Sequence, residues 1–272
     1  MKPQSQMAWF IGTIGFGYDD WRGGFFPQGV KSQNYLSHYS RIFNAVEIDT
    51  TFHAVPKTEV LQRWLQATPD GFRFALKMPK QITHSPDINR SRLALHEFIS
   101  VARTLGEKLG PILIQFPPSF QIEQIDGLEQ FLSELPRDIR FAVEVRHQSW
   151  YTRQVDDIPA MAELLRGLGI CWVATEFPGL PAQIWPTSDF SFIRWIGKNG
   201  SFNKHTHERI DRKDQLISWK NLIDSNSSWI EEIYGFFNND YAGFAPGTAN
   251  LFKKIIGLQV EDFQPPTQGR LF

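Results

Sequence analysis

The chain has 272 residues, with 28 Lys+Arg against 29 Asp+Glu and a formal net charge of −1. Hydrophobic residues at 42% and charged residues at 21% suit a globular chain and exclude wholesale disorder, and near-neutrality argues against a protein that works mainly by coating nucleic acid. The single cysteine, Cys171, rules out an intramolecular disulfide and a Cys-rich zinc cluster. The start, Met1-Lys2-Pro3-Gln4-Ser5-Gln6, lacks the apolar core of a signal peptide, and no apolar run reaches the roughly 18 residues of a membrane span. A soluble cytoplasmic chain with no membrane partner is expected.

Short apolar runs alternate with longer amphipathic stretches from end to end, the pattern of repeated βα units. In chain order, strands are predicted over residues 9–15, 45–49, 72–78, 111–116, 141–145, 170–174, 190–196 and 230–237. Helices are predicted around 34–39, 58–67, 92–109, 125–135, 158–167, 214–225 and 245–257. The sixth strand is followed only by a Pro-rich connection, Phe177-Pro178-Gly179-Leu180-Pro181. Gly106 and Gly110 flank the end of the third helix, and Gly167-Leu168-Gly169 ends the fifth. At about one unit per 30 residues, the pattern predicts one α/β domain over 1–263, a (β/α)8 TIM-type barrel irregular at its sixth unit, with 264–272 as an extended tail. The runner-up is an open Rossmann-like sheet, but the glycine-rich turn 12–17 lacks G-x-G-x-x-G spacing and no nucleotide-cofactor motif is present.

In a barrel strand, alternate residues face the interior and the helix layer. If Val46 and Ile48 face the helices, Glu47, Asp49 and Thr51 face inward. The same alternation turns Ala75 and Lys77, Gln115, Ala142, Glu144 and Arg146, and Arg194 inward. All the polar ones lie near the C-terminal ends of their strands, where barrels of this kind place their chemistry. They predict a cleft in which Glu47, Asp49 and Glu144 meet Lys77, Arg146 and Arg194 around a small polar or anionic ligand. The competing reading is a self-satisfied ion network. Burying such charges costs several kcal/mol per ion before pairing repays it, so stability alone is a poor reason to keep them. Glu47 and Asp49, about 7 Å apart along one strand, can share general acid/base work or simply bind a guanidinium.

Taken in order, several runs resemble the YecE-like family, whose shared domain is labelled as of unknown function (number 72). They are residues 12–18 with Trp21-Arg22-Gly23, Phe43-Asn44-Ala45-Val46-Glu47-Ile48-Asp49-Thr50-Thr51-Phe52, and Trp64. Pro69, residues 72–77 and Ile82-Thr83-His84 follow, then Gln115-Phe116-Pro117-Pro118-Ser119-Phe120, Glu144-Val145-Arg146-His147-Gln148-Ser149-Trp150 and Phe236-Phe237-Asn238-Asn239-Asp240. The resemblance implies a (β/α)8 barrel and carries no reaction with it. Two departures stand out: Asp49 replaces the family's usual Asn, and Arg194-Trp195-Ile196-Gly197 replaces its Arg-x-His-Gly. His205 and His207 in the next loop are the histidines that could take the missing one's place.

His53, His84 and His147 each follow a strand and could join Glu47 or Glu144 around a divalent metal, as in nuclease- or isomerase-like barrels; solitary strand-end histidines more often bond to backbone. The loop 197–213 carries Lys198, Lys204, Arg209, Arg212 and Lys213 against Glu208 and Asp211, in a region where barrels often bind phosphate. With Tyr18, Trp21 and Trp150 it offers charge and stacking to a nucleic acid; a solvated loop and rim packing are the plainer readings. Asn238 and Asn239 could read a sugar hydroxyl or form a turn. Cys171 reads as a buried structural thiol, and no G-x-S-x-G or Walker A sequence appears. The tail ends Gln268-Gly269-Arg270-Leu271-Phe272, similar to peptides that dock repair proteins on the sliding clamp, so Gln268, Leu271 and Phe272 are candidate partner contacts unless they seat in the protein's own core.

The leading expectation is a hydrolase or isomerase acting by general acid/base chemistry on a phosphorylated or hydroxyl-rich small substrate. Glu47 or Glu144 is the acid/base, with Asp49 tuning it by like-charge repulsion. Lys77, Arg146 and Arg194 hold an anion or developing negative charge. His84, Gln115, His147, Asn238, Asn239, Tyr18 and Trp21 contact the substrate. The alternatives are a repair-associated nucleic-acid-binding or nuclease-like factor docking on the clamp, and a non-catalytic metabolite-binding barrel.

Overall fold

Short β-prone runs fold into strands β1 (Ala8–Thr13), β2 (Ala45–Ile48), β3 (Arg73–Leu76), β4 (Ile112–Gln115), β5 (Phe141–Glu144), β6 (Cys171–Trp172), β7 (Ala174–Glu176), β8 (Phe190–Trp195) and β9 (Glu232–Phe237) in a computed structural model that describes residues 7–85, 91–151 and 158–261. The intervening amphipathic segments form α1 (Tyr35–Ile42), α2 (Thr58–Ala67), α3 (Lys80–Thr83), α4 (Arg92–Ala102), α5 (Ile125–Ser133), α6 (Ala160–Leu168), α7 (Lys213–Asn226), α8 (Asn239–Ala242) and α9 (Ala245–Ile255). Every paired strand is parallel, in three sheets ordered β1-β9-β8-β7, β2-β3 and β4-β5-β6.

The expected helix over 92–109 is shorter. α4 stops at Ala102, and a 3-10 run follows in which Gly106 adopts φ 53°, a backbone state open to glycine and costly for other residues. The sixth strand is divided into β6 and β7, and no helix lies between β7 and β8. α3 and α8 went unpredicted because a four-residue turn is too short to show a helical period.

Side chains stitch the seam between β1 and β2. Asn44 accepts from Ile11 N at 3.0 Å and donates to Trp9 O at 2.7 Å. The Tyr39 hydroxyl accepts from Thr13 N and donates to Ala45 O. It fills the space beside Gly12, where a Cβ would meet Ala45 O at 1.9 Å. Only at the strand ends does backbone bridge the two directly, Gly15 N donating to Glu47 O. Between β3 and β4 the links are Gly110 N to Phe74 O and Met78 N to Leu113 O.

Within the strands the predicted alternation holds. Val46, Ile48, Phe74, Leu76, Val143, Val145, Ile193 and Trp195 join the apolar layer shared with the helices. Ala45, Ala75, Leu113, Ala142, Cys171, Val173, Phe192 and Phe236 pack into a second cluster drawn from all three sheets. The residue two further on from Ala45, Ala75, Leu113, Ala142 and Phe192 is Glu47, Lys77, Gln115, Glu144 and Arg194, so period 2 sets a charged layer above an apolar one. Among the described residues no helix is long and apolar enough to cross a membrane.

Candidate functional site

Four strands deliver the charges of this layer, and β4 adds the neutral Gln115. Arg194 on β8 donates from Nε and Nη2 to the two oxygens of Glu47 on β2, each at 2.8 Å. Its Nη1 donates to Glu144 on β5, whose other oxygen accepts from Arg146 Nε at 2.7 Å. Glu47 and Glu144 are 0% exposed and Arg194 is 3% exposed. Removing these ions from water is costly, and the forked guanidinium offsets the cost by satisfying both carboxylates at once.

Lys77 and Arg146 are half-buried at the edge of this core. Lys77 Nζ donates to Gln115 Oε1 at 2.8 Å and stands 4.1 Å from the centre of the Phe52 ring. Gln115 is held by its own donation to Phe116 O. The buried Thr51 hydroxyl reaches both Ile48 O and Lys77 O, clamping the end of β2 to that of β3. Arg146 lies over the Phe177 ring at 4.7 Å. Phe52 and Phe177 were not anticipated; the available signal was an aromatic residue just beyond a strand that ends in a charge.

The charges divide the roles. Burial alone would raise the Glu144 carboxyl, but Arg194 and Arg146 outweigh it and hold it at about 2. Burial pushes the Glu47 carboxyl up against the pull of Arg194. Burial, reinforced by Arg194, lowers the Lys77 amine to about 8. His84 is lowered by burial and by nearby Lys77; its Nδ1 meets Thr83 Oγ1 at 2.9 Å. Beside it, a cleft of about 550 Å³ is lined by Phe52, His53, Pro79, Lys80 and His84 among others.

Other expected residues take different places. β2 ends at Ile48, and Asp49 turns to φ −84°, ψ −18°, so the expected Glu47–Asp49 pair along one strand does not form. Asp49 instead acts on the half-buried Tyr18, whose phenol is raised by burial and by Asp49, Glu47 and Asp240. Tyr18 donates to Ile14 O and packs on Trp21. Trp21 is fully buried, its indole donating to Asn239 Oδ1 at 3.1 Å. Asn239 also accepts from Ala245 N, and Asn238 caps α8 through Asp240 N. His147 caps a short turn, Nδ1 accepting from Ser149 N. His205 lies between Asp20 and Asp240, at 3.8 and 3.7 Å, and His207 is exposed. Cys171 is buried. Among the described residues no group of three or more His, Cys, Asp or Glu could hold a metal ion. Gln268, Leu271 and Phe272 lie outside the described residues.

The family described as "Protein of unknown function DUF72" matches residues 10–270. The chain belongs to this family. It is 36% identical to the UPF0759 protein YecE of Escherichia coli (strain K12) over 118 residues, a match that spans 43% of each chain and so less than half of that relative. It is 23% identical to the UPF0759 protein YunF of Bacillus subtilis (strain 168) over 285 residues, 94% of this chain and 97% of the other. Among solved structures, a DUF72 protein of Thermotoga maritima MSB8 superposes with TM-score 0.74 at 28% identity, covering 92% of this chain and 99% of its own. One from Enterococcus faecalis V583 gives TM-score 0.74 at 21% identity, covering 94% and 100%. The shared DUF72 architecture is a mixed α/β fold with parallel sheets.

Proposed function

We propose that the three sheets are sectors of one (β/α)8 barrel, and that the strand-end mouth is the active site of a cytoplasmic enzyme. Its substrate is a small anion, phosphorylated or hydroxyl-rich, and its chemistry is general acid/base. The barrel reading is supported by the backbone links across the seams at Gly15–Glu47, Gly110–Phe74 and Met78–Leu113. The functional reading rests on one observation, the difference in how the cations are paired. Arg194 is buried and spends its hydrogen bonds on Glu47 and Glu144. Arg146 donates to Glu144 and Lys77 to the neutral Gln115 amide, and both are only partly buried. Lys77 and Arg146 are therefore the cations at the mouth that can still take up an anion.

Within that site the acid/base role is assigned to Glu47, whose carboxyl is pushed up by burial against the pull of Arg194. Glu144, held at about 2, stays charged and orients both arginines. Asp49 and Tyr18 would meet the polar parts of the substrate. Titration with inorganic phosphate, followed by calorimetry and thermal melting, tests the reading. Phosphate is expected to bind and to raise the melting temperature, as any ligand that prefers the folded state does. Arg146→Ala should weaken binding at least tenfold while circular dichroism is unchanged. An intact chain that ignores phosphate, or a folded variant that binds it equally well, overturns the reading.

A further inference from the structure

Lys77 differs from its two cationic neighbours in what it touches. Arg194 and Arg146 donate to carboxylates, whereas Lys77 Nζ donates to the neutral Gln115 amide and faces the neutral Phe52 ring. One acceptor occupies one of three ammonium protons. The backbone beneath is fixed, since Lys77 bridges Leu113 on β4 and its carbonyl accepts from Thr51 at 2.7 Å. The amine is anchored at a strand end, partly buried, and faces Glu47 and Glu144 as well as Arg194 and Arg146; burial and the guanidiniums outweigh the carboxylates, so it is poorly placed to keep a proton and well placed to meet a ligand.

We infer that Lys77 is an amine nucleophile that forms an imine with a carbonyl-bearing small anion held by Arg146, an inference resting on the reading of the mouth as an anion-binding active site. The Nζ lone pair attacks the carbonyl carbon, forming a C–N bond as the C=O π pair moves onto oxygen, which takes up a proton. The carbinolamine then breaks its C–O bond and releases water. In sum, one ammonium and one carbonyl give one protonated imine and one water, with no oxidant or reductant. Of the two buried carboxyls, the proton exchange is assigned to Glu47, which burial pushes up while Glu144 is held at about 2. With Lys77 at about 8, roughly a fifth of the amine is neutral at pH 7.4, against about one in a thousand for an ordinary lysine.

The probe is pyridoxal phosphate, an aldehyde that carries its own anion, added to the full chain, reduced with borohydride and mapped by peptide mass spectrometry. Lys77 should be labelled at least tenfold faster than the exposed Lys198 and Lys204, with a rate that rises through a midpoint near pH 8 and falls when inorganic phosphate competes. Lys77→Arg should leave only the slow labelling of exposed lysines. Label spread in proportion to exposure, or a Lys77 that stays unlabelled, overturns the inference. If phosphate still binds in that case, only the imine falls; if phosphate binding is absent as well, the anion-binding reading falls with it.

Discussion

Replacing Lys77 by Met isolates the cost of keeping a cation where the fold disfavours it. The amine lies at 10.5 in its ordinary state and at about 8 in the folded chain. Below pH 8 Lys77 is protonated in both states and the folded state carries the whole penalty. Between pH 8 and 10.5 the unfolded chain holds a proton that the folded chain has lost, so stability rises with pH. At 1.36 kcal/mol per unit, the shift of 10.5 − 8 = 2.5 units corresponds to about 3.4 kcal/mol, of which about 2.5 kcal/mol is relieved between pH 7 and pH 10. Solvent screening of the half-buried head group reduces this to about 1–2 kcal/mol. Losing the bond to Gln115 costs about 1 kcal/mol at any pH, leaving the pH dependence of the difference as the diagnostic quantity. Urea unfolding of both chains at pH 7 and pH 10, at one ionic strength, measures it by linear extrapolation. The wild-type chain should gain on Lys77→Met by about 1–2 kcal/mol over that interval. A difference that is flat with pH, or of opposite sign, refutes the account of Lys77 as a desolvated, repelled amine.

Two further outcomes test the scaffold. Arg194→Met strands two fully buried carboxylates and should cost at least about 3–5 kcal/mol in urea unfolding, part of which Glu47→Gln with Glu144→Gln should recover; a variant within 1 kcal/mol of wild type would show that Arg194 is not the clamp. Gly12→Ala drives a Cβ against Ala45 O at 1.9 Å and the Tyr39 hydroxyl at 2.6 Å, so it should lower the melting temperature through a cost of about 1–3 kcal/mol or more; an unchanged melt would mean that the seam between β1 and β2 is not packed as described.

Most strand positions, and which strand residues share a face, were legible without coordinates, because hydrophobic alternation is local. A residue's side of a strand follows from its neighbours two positions away. Glu47, Lys77, Gln115, Glu144 and Arg194 could therefore be placed in one layer from their own segments. The alternation failed at Asp49, where the chain leaves the strand and the period no longer applies. Trp21 and Asn239 looked like separate ligand contacts, yet they bond to each other across 218 residues of sequence.

The sequence by itself determined which strand-end residues share a face with the second apolar cluster, Asp49 excepted, through a period of two that each short run carries alone. The tertiary structure alone decided how those charges divide. It set one guanidinium between two carboxylates that lie 147 and 50 residues away from it, and gave Lys77 a neutral amide as its hydrogen-bond partner. Hydrogen-bond pairing depends on where strands meet in space to within an ångström, and no local pattern encodes that distance.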